Sequence, residues 1–388
     1  MKQIGIYVHI PFCKRKCNYC DFISFENREN IVEEYINWLC YEIKEVGEGI
    51  KKDIENKYID YVTVKTIYIG GGTPSYIDAE HINKILETIF ENFNVEPQAE
   101  ITLEVNPGTV NKEKLIMYKK SGINRLSIGC QSANNDLLKM LGRIHTYEEF
   151  EKTFNQARKI GFDNINIDFI IGLPNQTMKD IDFIIEKVKK LKPNHVSVYS
   201  LIVEDNTILQ QKIESNILKL PDENQERKMY WNVKNKLEEL GYEHYEISNF
   251  ALNNFKSKHN LDCWNQCEYM GFGVAAHSYI DGARFSNTDN IEEYIENYKL
   301  GKQENNFILH EKQDEKNKMK EYVLLGLRKI NGVSCNDFET KFNKDIFKIF
   351  DNELTTLMKK ELITVENGYI KLTNKGIDFA NIVWEEFV

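Results

Sequence analysis

The stretch IGIYVHIPFCKRKCNYCDF, residues 4–22, places three cysteines directly after a strand-like apolar run. Most positions of residues 4–10 are β-branched or aromatic, which is typical of a buried strand. Cys13, Cys17 and Cys20 follow with the spacing C-x3-C-x2-C. Thiolate sulfur suits iron in iron–sulfur clusters, and three ligands on a cluster of four irons leave one iron open. The stretch therefore predicts a 4Fe-4S cluster with one coordination site free for chemistry.

Other interpretations of these cysteines are open. A closed zinc site needs four ligands, and no second C-x2-C pair follows at zinc-knuckle spacing. Cys263 and Cys267 lie too far along the chain to make a shared zinc site the simplest explanation. Cys17 and Cys20 could instead form a redox pair, and all three residues could be plain buried thiols. The segments that follow decide between these possibilities.

Length and composition describe a protein with an ordinary apolar core. The chain has 388 residues, of which 41% are hydrophobic, and a formal net charge of −10. This acidic balance argues against a nucleic-acid partner, because such proteins present a basic surface. No apolar run approaches the length of about 20 residues that spans a bilayer, and no signal-peptide pattern is present. We therefore expect a cytoplasmic protein whose cysteines stay reduced.

Apolar strand-like runs alternate with helical patterns over the first half of the chain. Six such βα units predict a partial (β/α)6 barrel related to the TIM barrel, with function at the carboxyl ends of its strands. The predicted strands are residues 4–10, 66–69, 101–105, 125–128, 165–171 and 196–201, and the predicted helices are residues 31–50, 81–93, 112–121, 147–160 and 178–191.

The rest of the chain predicts two further parts. Residues 206–305 form an extension of the barrel, which itself covers residues 1–205. Residues 306–388 predict a small helical domain of winged-helix type, with helices near 316–329 and 342–360 and a hairpin that turns at Asn367 and Gly368. Its mixed charges favour a packing or lid role for this domain over DNA binding.

Polar side chains and glycines stand where the predicted strands end. Carboxyl ends of parallel strands lie at one edge of a sheet, so these groups converge and can hydrogen-bond the hydroxyls and amine of a polar cofactor. Glycines there let the backbone approach a ligand closely. The groups are Gly70, Gly71, Gly72 and Thr73 after the second strand, Glu104 and Asn106 after the third, Gly129 and Gln131 after the fourth, Asp168 in the fifth, and Tyr199 and Ser200 in the sixth.

These segments together resemble the radical S-adenosylmethionine (SAM) superfamily. YVHIPFC at 7–13, GGTPS at 71–75, GCQS at 129–132, LGRIH at 141–145 and IGLP at 171–174 are similar to the oxygen-independent coproporphyrinogen III oxidase group. The resemblance implies that the open iron binds the amino and carboxylate groups of SAM. It also implies a set of SAM-binding residues, which are Tyr7, Tyr19, Gly71, Gly72, Thr73, Glu104, Gln131, Arg143 and Asp168.

Two branches of this group share the cofactor apparatus. The oxidases resemble a longer chain with a fourth cysteine two positions after the third, whereas Cys13 stands near the start here and Phe22 occupies the corresponding position. Both features favour the heme-chaperone branch, with oxidative decarboxylation of coproporphyrinogen III as the alternative. The expected partners are heme, an electron donor for the cluster, and heme-acceptor proteins, including membrane-associated respiratory proteins.

The chaperone branch also has a His-Asn-x-x-Tyr-Trp signature associated with heme. Residues 259–264 read HNLDCW, so Cys263 stands where the signature has tyrosine. Histidine and thiolate are both competent axial ligands of heme iron. The resemblance thus makes His259 and Cys263 candidate heme ligands, while a histidine that merely satisfies its loop by hydrogen bonds is the alternative.

Overall fold

A computed structural model describes residues 2–58 and 61–388 of the chain. Its centre is a run of six parallel strands, each paired with the next along the sequence and alternating with helices, so the predicted partial (β/α)6 barrel is confirmed. The strands are β1 (Lys2–Ile10), β2 (Val62–Gly71), β3 (Val95–Val105), β4 (Arg125–Gln131), β5 (Asn164–Ile171) and β6 (His195–Ser200). The helices are α1 (Val32–Glu55), α2 (Ala79–Asn92), α3 (Lys112–Lys120), α4 (Asn135–Met140), α5 (Tyr147–Ile160) and α6 (Met178–Leu191).

The pattern of apolar residues explains why these segments adopt this layered arrangement. In β1, Ile4, Ile6, Val8 and Ile10 are fully buried beneath the covering helices, as expected for a strand of a parallel sheet. In α1 the buried residues recur every three or four positions, which gives the helix one apolar face. The core is formed by these two kinds of surface packed against each other.

The sheet continues on both sides of the six central strands. Its order is β12-β11-β10-β9-β1-β2-β3-β4-β5-β6-β8-β7, and β12 and β7 are its two edges among the described residues. Strand β9 runs parallel to β1, whereas β10, β11 and β12 follow as an antiparallel meander. These elements are α7 (Ile208–Glu214), α8 (Glu223–Glu239), β7 (Glu243–Glu246), β8 (Asn249–Ala251), α9 (Lys258–Trp264), β9 (Tyr269–Phe272), β10 (His277–Ile280), β11 (Ala283–Asn287), α10 (Ile291–Lys299) and β12 (Phe307–Lys312).

The C-terminal part has its own small sheet and its own apolar core. Its hairpin turns at Asn367 and Gly368, which have φ angles of 51° and 78°, as a two-residue type I′ turn requires. The elements are α11 (Glu315–Gly326), β13 (Val333–Ser334), α12 (Cys335–Phe342), α13 (Ile346–Ile349), α14 (Asp351–Lys359), β14 (Ile363–Glu366), β15 (Tyr369–Leu372), α15 (Asn374–Asp378) and α16 (Ala380–Glu385).

Some elements differ from the expectation in their extent. Strand β3 begins at Val95, which pairs with Val64 of β2, although the polar and proline-containing first half of the strand carries no apolar pattern. The structure places residues 307–312 on the edge of the large sheet, whereas the sequence assigned them to the C-terminal domain. The single helix expected at 342–360 is two short helices separated at Phe350, whose φ and ψ of −118° and 35° are not helical. No helix among the described residues is long and apolar enough to cross a membrane.

Candidate functional site

The cysteine loop leaves the carboxyl end of β1 and is closed by backbone hydrogen bonds between its two ends. Cys13 N–H donates to the carbonyl of Phe25 at 2.9 Å, and Phe25 N–H donates to the carbonyl of Pro11 at 2.7 Å. Thr73, beyond the end of β2, donates its N–H to the carbonyl of Phe12 at 2.9 Å. The loop is therefore anchored to the ends of two adjacent parallel strands.

The three cysteines of the loop open onto a cavity of about 470 Å³ at the carboxyl ends of the central strands. This is the edge at which parallel α/β folds place their ligands. The structure thus brings the predicted cluster ligands and most of the predicted SAM-binding residues to one place. Those that line the cavity are Cys13, Cys17, Cys20, Tyr19, Gly71, Gly72, Thr73, Glu104, Gln131, Arg143 and Asp168.

The donor set of the three cysteines fits an iron–sulfur cluster, since thiolate sulfur is the usual ligand of its irons. All three are free thiols. Within residues 2–58 and 61–388, no group of three or more histidine, cysteine, aspartate or glutamate side chains is placed to hold one metal ion. A four-iron cluster gives each thiolate its own iron, so its ligands stand further apart than those of one ion.

The electrostatics of the cysteines depend on burial and on one arginine. Burial raises the pKa of Cys13, and it raises the pKa of Cys20 to about 11. A thiol that coordinates a metal is deprotonated outright, which overcomes this effect. Arg143 Nη1 donates to Cys17 Sγ at 3.3 Å, which places a buried positive charge beside the third thiol.

Two glycines after β2 let the backbone approach the cavity. A Cβ atom at Gly72 would stand 3.1 Å from Cys13 Sγ, and one at Gly71 would stand 2.7 Å from the ring of His9. Gly71 also has a φ angle of 112°, a region that residues with a side chain rarely adopt. The turn therefore requires glycine at both positions, because it passes close to Cys13 and to the ring of His9.

Glu104 is held at the end of β3 by groups from β2. Tyr68 Oη donates to its Oε1 at 2.8 Å, and Gly71 N–H donates to its Oε2 at 3.2 Å. Burial raises the pKa of Glu104 to about 7, although the hydrogen bond from Tyr68 opposes the shift. A buried carboxylate at this position is a ready partner for a cationic ammonium group.

Asp168 lies on β5, two strands along from Glu104, and is oriented by hydrogen bonds from β4 and from β5 itself. Ser127 Oγ on β4 donates to Asp168 Oδ2 at 3.1 Å, and Asn166 Nδ2 donates to Oδ1 at 2.8 Å. Burial raises the pKa of Asp168, while these hydrogen bonds lower it. The carboxylate is thereby fixed in orientation and keeps acceptor capacity for the hydroxyls of a bound cofactor.

A bulge at the end of β4 directs Gln131 into the cavity. The register between β4 and β5 shifts between Gly129 and Gln131, and Gln131 has a φ angle of 66°. Two buried polar atoms of the cavity lining, Asn106 Oδ1 and Arg143 Nε, have no hydrogen-bond partner. Buried polar groups are rarely left unpaired, so these atoms fit a polar ligand in the cavity.

Tyr7 is the one predicted SAM-binding residue that is not among the described residues lining the cavity. Its hydroxyl lies 3.0 Å from His9 Nδ1, and its ring stacks on Tyr68 with centroids 6.3 Å apart. Its contact with the cofactor stays a prediction. Sequence reasoning missed Tyr68 and Ser127, which hold the two carboxylates. The alternation of inward and outward positions along a strand is the signal that places each on the inner face.

The segment with the His-Asn-x-x-Cys-Trp pattern is enclosed, and its His259 lies on the same face of β2 as the cavity, against Thr66 and Tyr68. His259 is 7% exposed, its Nδ1 lies 2.9 Å from Thr66 Oγ1, and its ring stacks on Tyr68 at 5.2 Å. Its backbone N–H donates to Glu100 Oε1 at 3.1 Å. Burial and the positive charge of Arg125 lower the pKa of His259 to about 4. Iron ligation by His259 stays a prediction, and it would require this segment to open.

The neighbours of His259 in this segment are also packed. Burial raises the pKa of Cys263 to about 12, so its thiol is protonated in the folded chain. The ring of Trp264 is covered by the guanidinium of Arg328, 4.3 Å from the ring centroid. Helix α9 thus joins the sheet to the C-terminal part, and a ligand role for Cys263 likewise stays a prediction.

Comparison with known proteins agrees with this fold and site. The model of the radical SAM superfamily matches residues 7–188, and the model of the HemN C-terminal domain matches residues 313–379. The solved structure of coproporphyrinogen III oxidase (HemN) from Escherichia coli superposes with a TM-score of 0.83 at 24% identity, covering 100% of this chain and 90% of that one. The fold is that of a radical SAM protein, a class that implies a 4Fe-4S cluster and SAM.

Relatives over the full length give the narrower family. The heme chaperone HemW of Lactococcus lactis is 37% identical over 387 residues, covering 100% of this chain and 98% of the relative. The heme chaperone HemW of Bacillus subtilis is 37% identical over 389 residues, covering 98% of each. The chain belongs to the HemW family, which confirms the branch predicted from the sequence.

Proposed function

We propose that this protein binds heme and hands it to acceptor proteins, on a scaffold that holds a 4Fe-4S cluster and SAM. The observation that carries the proposal is the full-length similarity to heme chaperones, at 37% identity over 387 residues. The aligned region includes the cluster loop, the strand-end residues and the C-terminal domain. The similarity to these chaperones therefore extends over the whole chain.

The cavity supports a specific assignment of the cofactors. Cys13, Cys17 and Cys20 hold the cluster, since they line one cavity as free thiols. Glu104 accepts from the ammonium group of SAM and Asp168 from its ribose, because both are buried carboxylates oriented by hydrogen bonds. When bound, the reduced cluster and SAM together supply the capacity to form a 5′-deoxyadenosyl radical.

The remaining predicted residues complete the pocket. Gly71, Gly72 and Thr73 meet the methionyl end with their backbone, because they follow β2 beside Cys13. Arg143 and Gln131 face the same space, and Arg143 keeps an unpaired Nε there. Tyr19 forms part of the wall.

Oxidation of coproporphyrinogen III is the alternative function, since the same cofactors serve it. One residue at the mouth of the cavity bears on the choice. Phe22, where the oxidases are expected to carry a fourth cysteine, lines the cavity and is 64% exposed. An apolar ring at this position suits a flat apolar ligand and supplies no fourth thiolate.

The test is an anaerobic assay of the reconstituted full-length protein with two arms. In the first, hemin is added and its transfer to an apo-hemoprotein is followed by absorption. In the second, coproporphyrinogen III, SAM and a strong reductant are added, and protoporphyrinogen IX is measured. Cys335→Ala serves as the control for loss of a cysteine outside the cavity, because Cys335 lies in α12 of the C-terminal part.

We expect stoichiometric hemin binding and transfer in the first arm and no product in the second. Catalytic turnover of coproporphyrinogen III would replace the proposed function by the oxidase. Absence of hemin binding from protein with an intact cluster would refute the chaperone function.

A further inference from the structure

A buried arginine lies in the interior of the barrel without a partner of opposite charge. Arg125 of β4 is 2% exposed, and its Nε has no hydrogen-bond partner. Within residues 2–58 and 61–388, arginine ion pairs are formed by Arg28, Arg227 and Arg284 and not by Arg125. An isolated buried charge is costly, so one that persists points to a role beyond stability. The neighbours of Arg125 indicate what that role is.

Strand alternation places Arg125 one layer beneath the cavity. Residues at every second position of β4 face the interior of the barrel, and two of them, Ser127 and Gly129, line the cavity. Arg125 continues this row away from the cavity. The strand register pairs Ser127 with Glu104 on β3, and Gly129 with Asp168 on β5. Both carboxylates therefore lie above Arg125, on the two strands that flank β4.

The positive charge of Arg125 acts on both of these carboxylates. Burial raises the pKa of Glu104 to about 7 and also raises the pKa of Asp168, and the charge of Arg125 opposes both shifts. The negative charge of Asp168 raises the pKa of Glu104 further. Two like charges at one site need a charge of opposite sign nearby if both are to stay ionised. Arg125 supplies that charge from beneath the cavity.

The other charged and titratable groups around these three residues supply no second positive charge. Arg143 donates to Cys17 Sγ at 3.3 Å, so its charge is directed to the cluster loop. Glu100 of β3 accepts from two backbone N–H groups of α9. Burial keeps the remaining groups neutral near pH 7, because it raises the pKa of the phenols and of the thiol and lowers the pKa of the imidazoles. These groups are Tyr7, Tyr68, Cys130, His195, Tyr199, Tyr245 and His259.

We propose that Arg125 is a positioning residue of the cofactor site, whose guanidinium lies beneath the cavity as the shared counter-charge that keeps Glu104 and Asp168 as carboxylates facing bound SAM. This inference rests on the proposed function, because that proposal assigns the two carboxylates to SAM. Arg125 is not among the residues that line the cavity, so it acts through the two acceptors. A carboxylate accepts a hydrogen bond from a cationic group more strongly than a carboxylic acid does.

The experiment is a calorimetric titration of SAM into the cluster-loaded full-length protein at about pH 6, 7 and 8.5. Arg125→Met and Arg125→Gln both remove the charge, so the test remains valid if one of them does not fold. Arg125→Lys keeps a positive charge without the guanidinium. Arg284→Met is the control, because Arg284 is ion-paired with Glu321 at 2.7 Å and lies outside the cavity. Comparison with the wild type at each pH cancels the titration of SAM itself, and iron and sulfide content verifies the cluster.

The two neutral variants are expected to bind SAM about fivefold more weakly than the wild type at about pH 7, but within about twofold of it at about pH 8.5. Loss of the counter-charge should raise the pKa of Glu104 by about one unit, so its ionised fraction at about pH 7 falls from about one half to about one tenth. At about pH 6 the loss of affinity should approach about tenfold for the same reason. Arg125→Lys and Arg284→Met should stay within about twofold of the wild type at every pH.

A loss of SAM affinity in the neutral variants that is the same at every pH would overturn the inference, because it would show a structural role for Arg125. Wild-type affinity in these variants throughout the pH range would overturn it as well. So would a loss in Arg125→Lys as large as that in Arg125→Met, since the charge would then not matter. These outcomes leave the proposed function standing, because hemin transfer is measured separately with the wild-type protein. Absence of hemin binding by the wild type would refute the proposed function without altering the pH profiles.

Discussion

The cofactor cavity and the α9 segment are two regions with strong sequence signatures and opposite structures. In the cavity, polar atoms such as Asn106 Oδ1 and Arg143 Nε have no protein partner. In the α9 segment, His259 has Thr66, Glu100 and Tyr68 against it. His259 is therefore held by its neighbours, although Asp262 Oδ2 and Trp264 Nε1 of the same helix have no partner. The unpaired atoms of the first region belong to the lining of an open cavity, whereas His259 is enclosed by side chains.

The largest effect expected is at the cluster. Cys17→Ala should abolish retention of the cluster, because three thiolates are needed for three irons. Iron and sulfide analysis after anaerobic reconstitution should give values near zero, with an unchanged circular dichroism spectrum. Cys335→Ala should keep the full content, since that residue is remote from the cavity. Full iron and sulfide in Cys17→Ala would remove Cys17 from the ligand set.

The next largest effect is expected for the carboxylate on β5. Asp168→Asn keeps the volume but removes the charge of an oriented acceptor, so SAM should bind more weakly by about 1.5–3 kcal/mol. Isothermal titration calorimetry with SAM and the cluster-loaded protein measures this loss of binding free energy. Asp163→Asn is a suitable control, because Asp163 is an exposed aspartate before β5. Equal losses in the two variants would show that Asp168 acts only through general electrostatics.

A smaller effect concerns pH. The pKa of Glu104 is raised to about 7, so its carboxyl is ionised above that value and neutral below it. SAM binding through an ammonium group should therefore strengthen several-fold between about pH 6 and about pH 8. Glu104→Gln should bind more weakly and lose this dependence. An equally steep pH profile in Glu104→Gln would assign the titration to another group.

The smallest effect on the cofactor is expected for the α9 segment. His259→Ala should lower the free energy of unfolding by about 1–3 kcal/mol, since it leaves Thr66 unpaired and removes a stacked ring. SAM affinity should stay within about twofold of wild type, because His259 reaches the cavity only through the ring of Tyr68, whose hydroxyl keeps its bond to Glu104. Thr66→Val, which removes the same hydrogen bond from the other side, should be similarly destabilised. If His259→Ala kept the stability of the wild type but lost SAM binding, His259 would belong to the cofactor site.

Much of the fold followed from local patterns. The six strands, their helices and the Asn367–Gly368 hairpin were predicted because apolar periodicity and turn residues act over a few positions. Strand β12 was not assigned to the large sheet, because an edge strand with every residue exposed has no apolar alternation to read. Its place is decided by pairing with β11.

Some features of the site also followed from the sequence, whereas others depend on how the strands pair. The cysteine spacing lies within eight residues, so sequence alone indicates a cluster. The supports of the carboxylates were missed, since Tyr68 meets Glu104 and Ser127 meets Asp168 only when separate strands are aligned. The bulge that turns Gln131 into the cavity is likewise a property of the pairing between β4 and β5.

The sequence by itself determined the alternation of strands and helices, the cluster ligands and the family, because each depends on residue types at short spacing. Only the tertiary structure decided which histidines a ligand can reach. His259 is enclosed by Thr66, which lies 193 residues away, whereas His277 on β10 is exposed. Exposure is a property of what packs on a residue from elsewhere in the chain, and no local pattern encodes it.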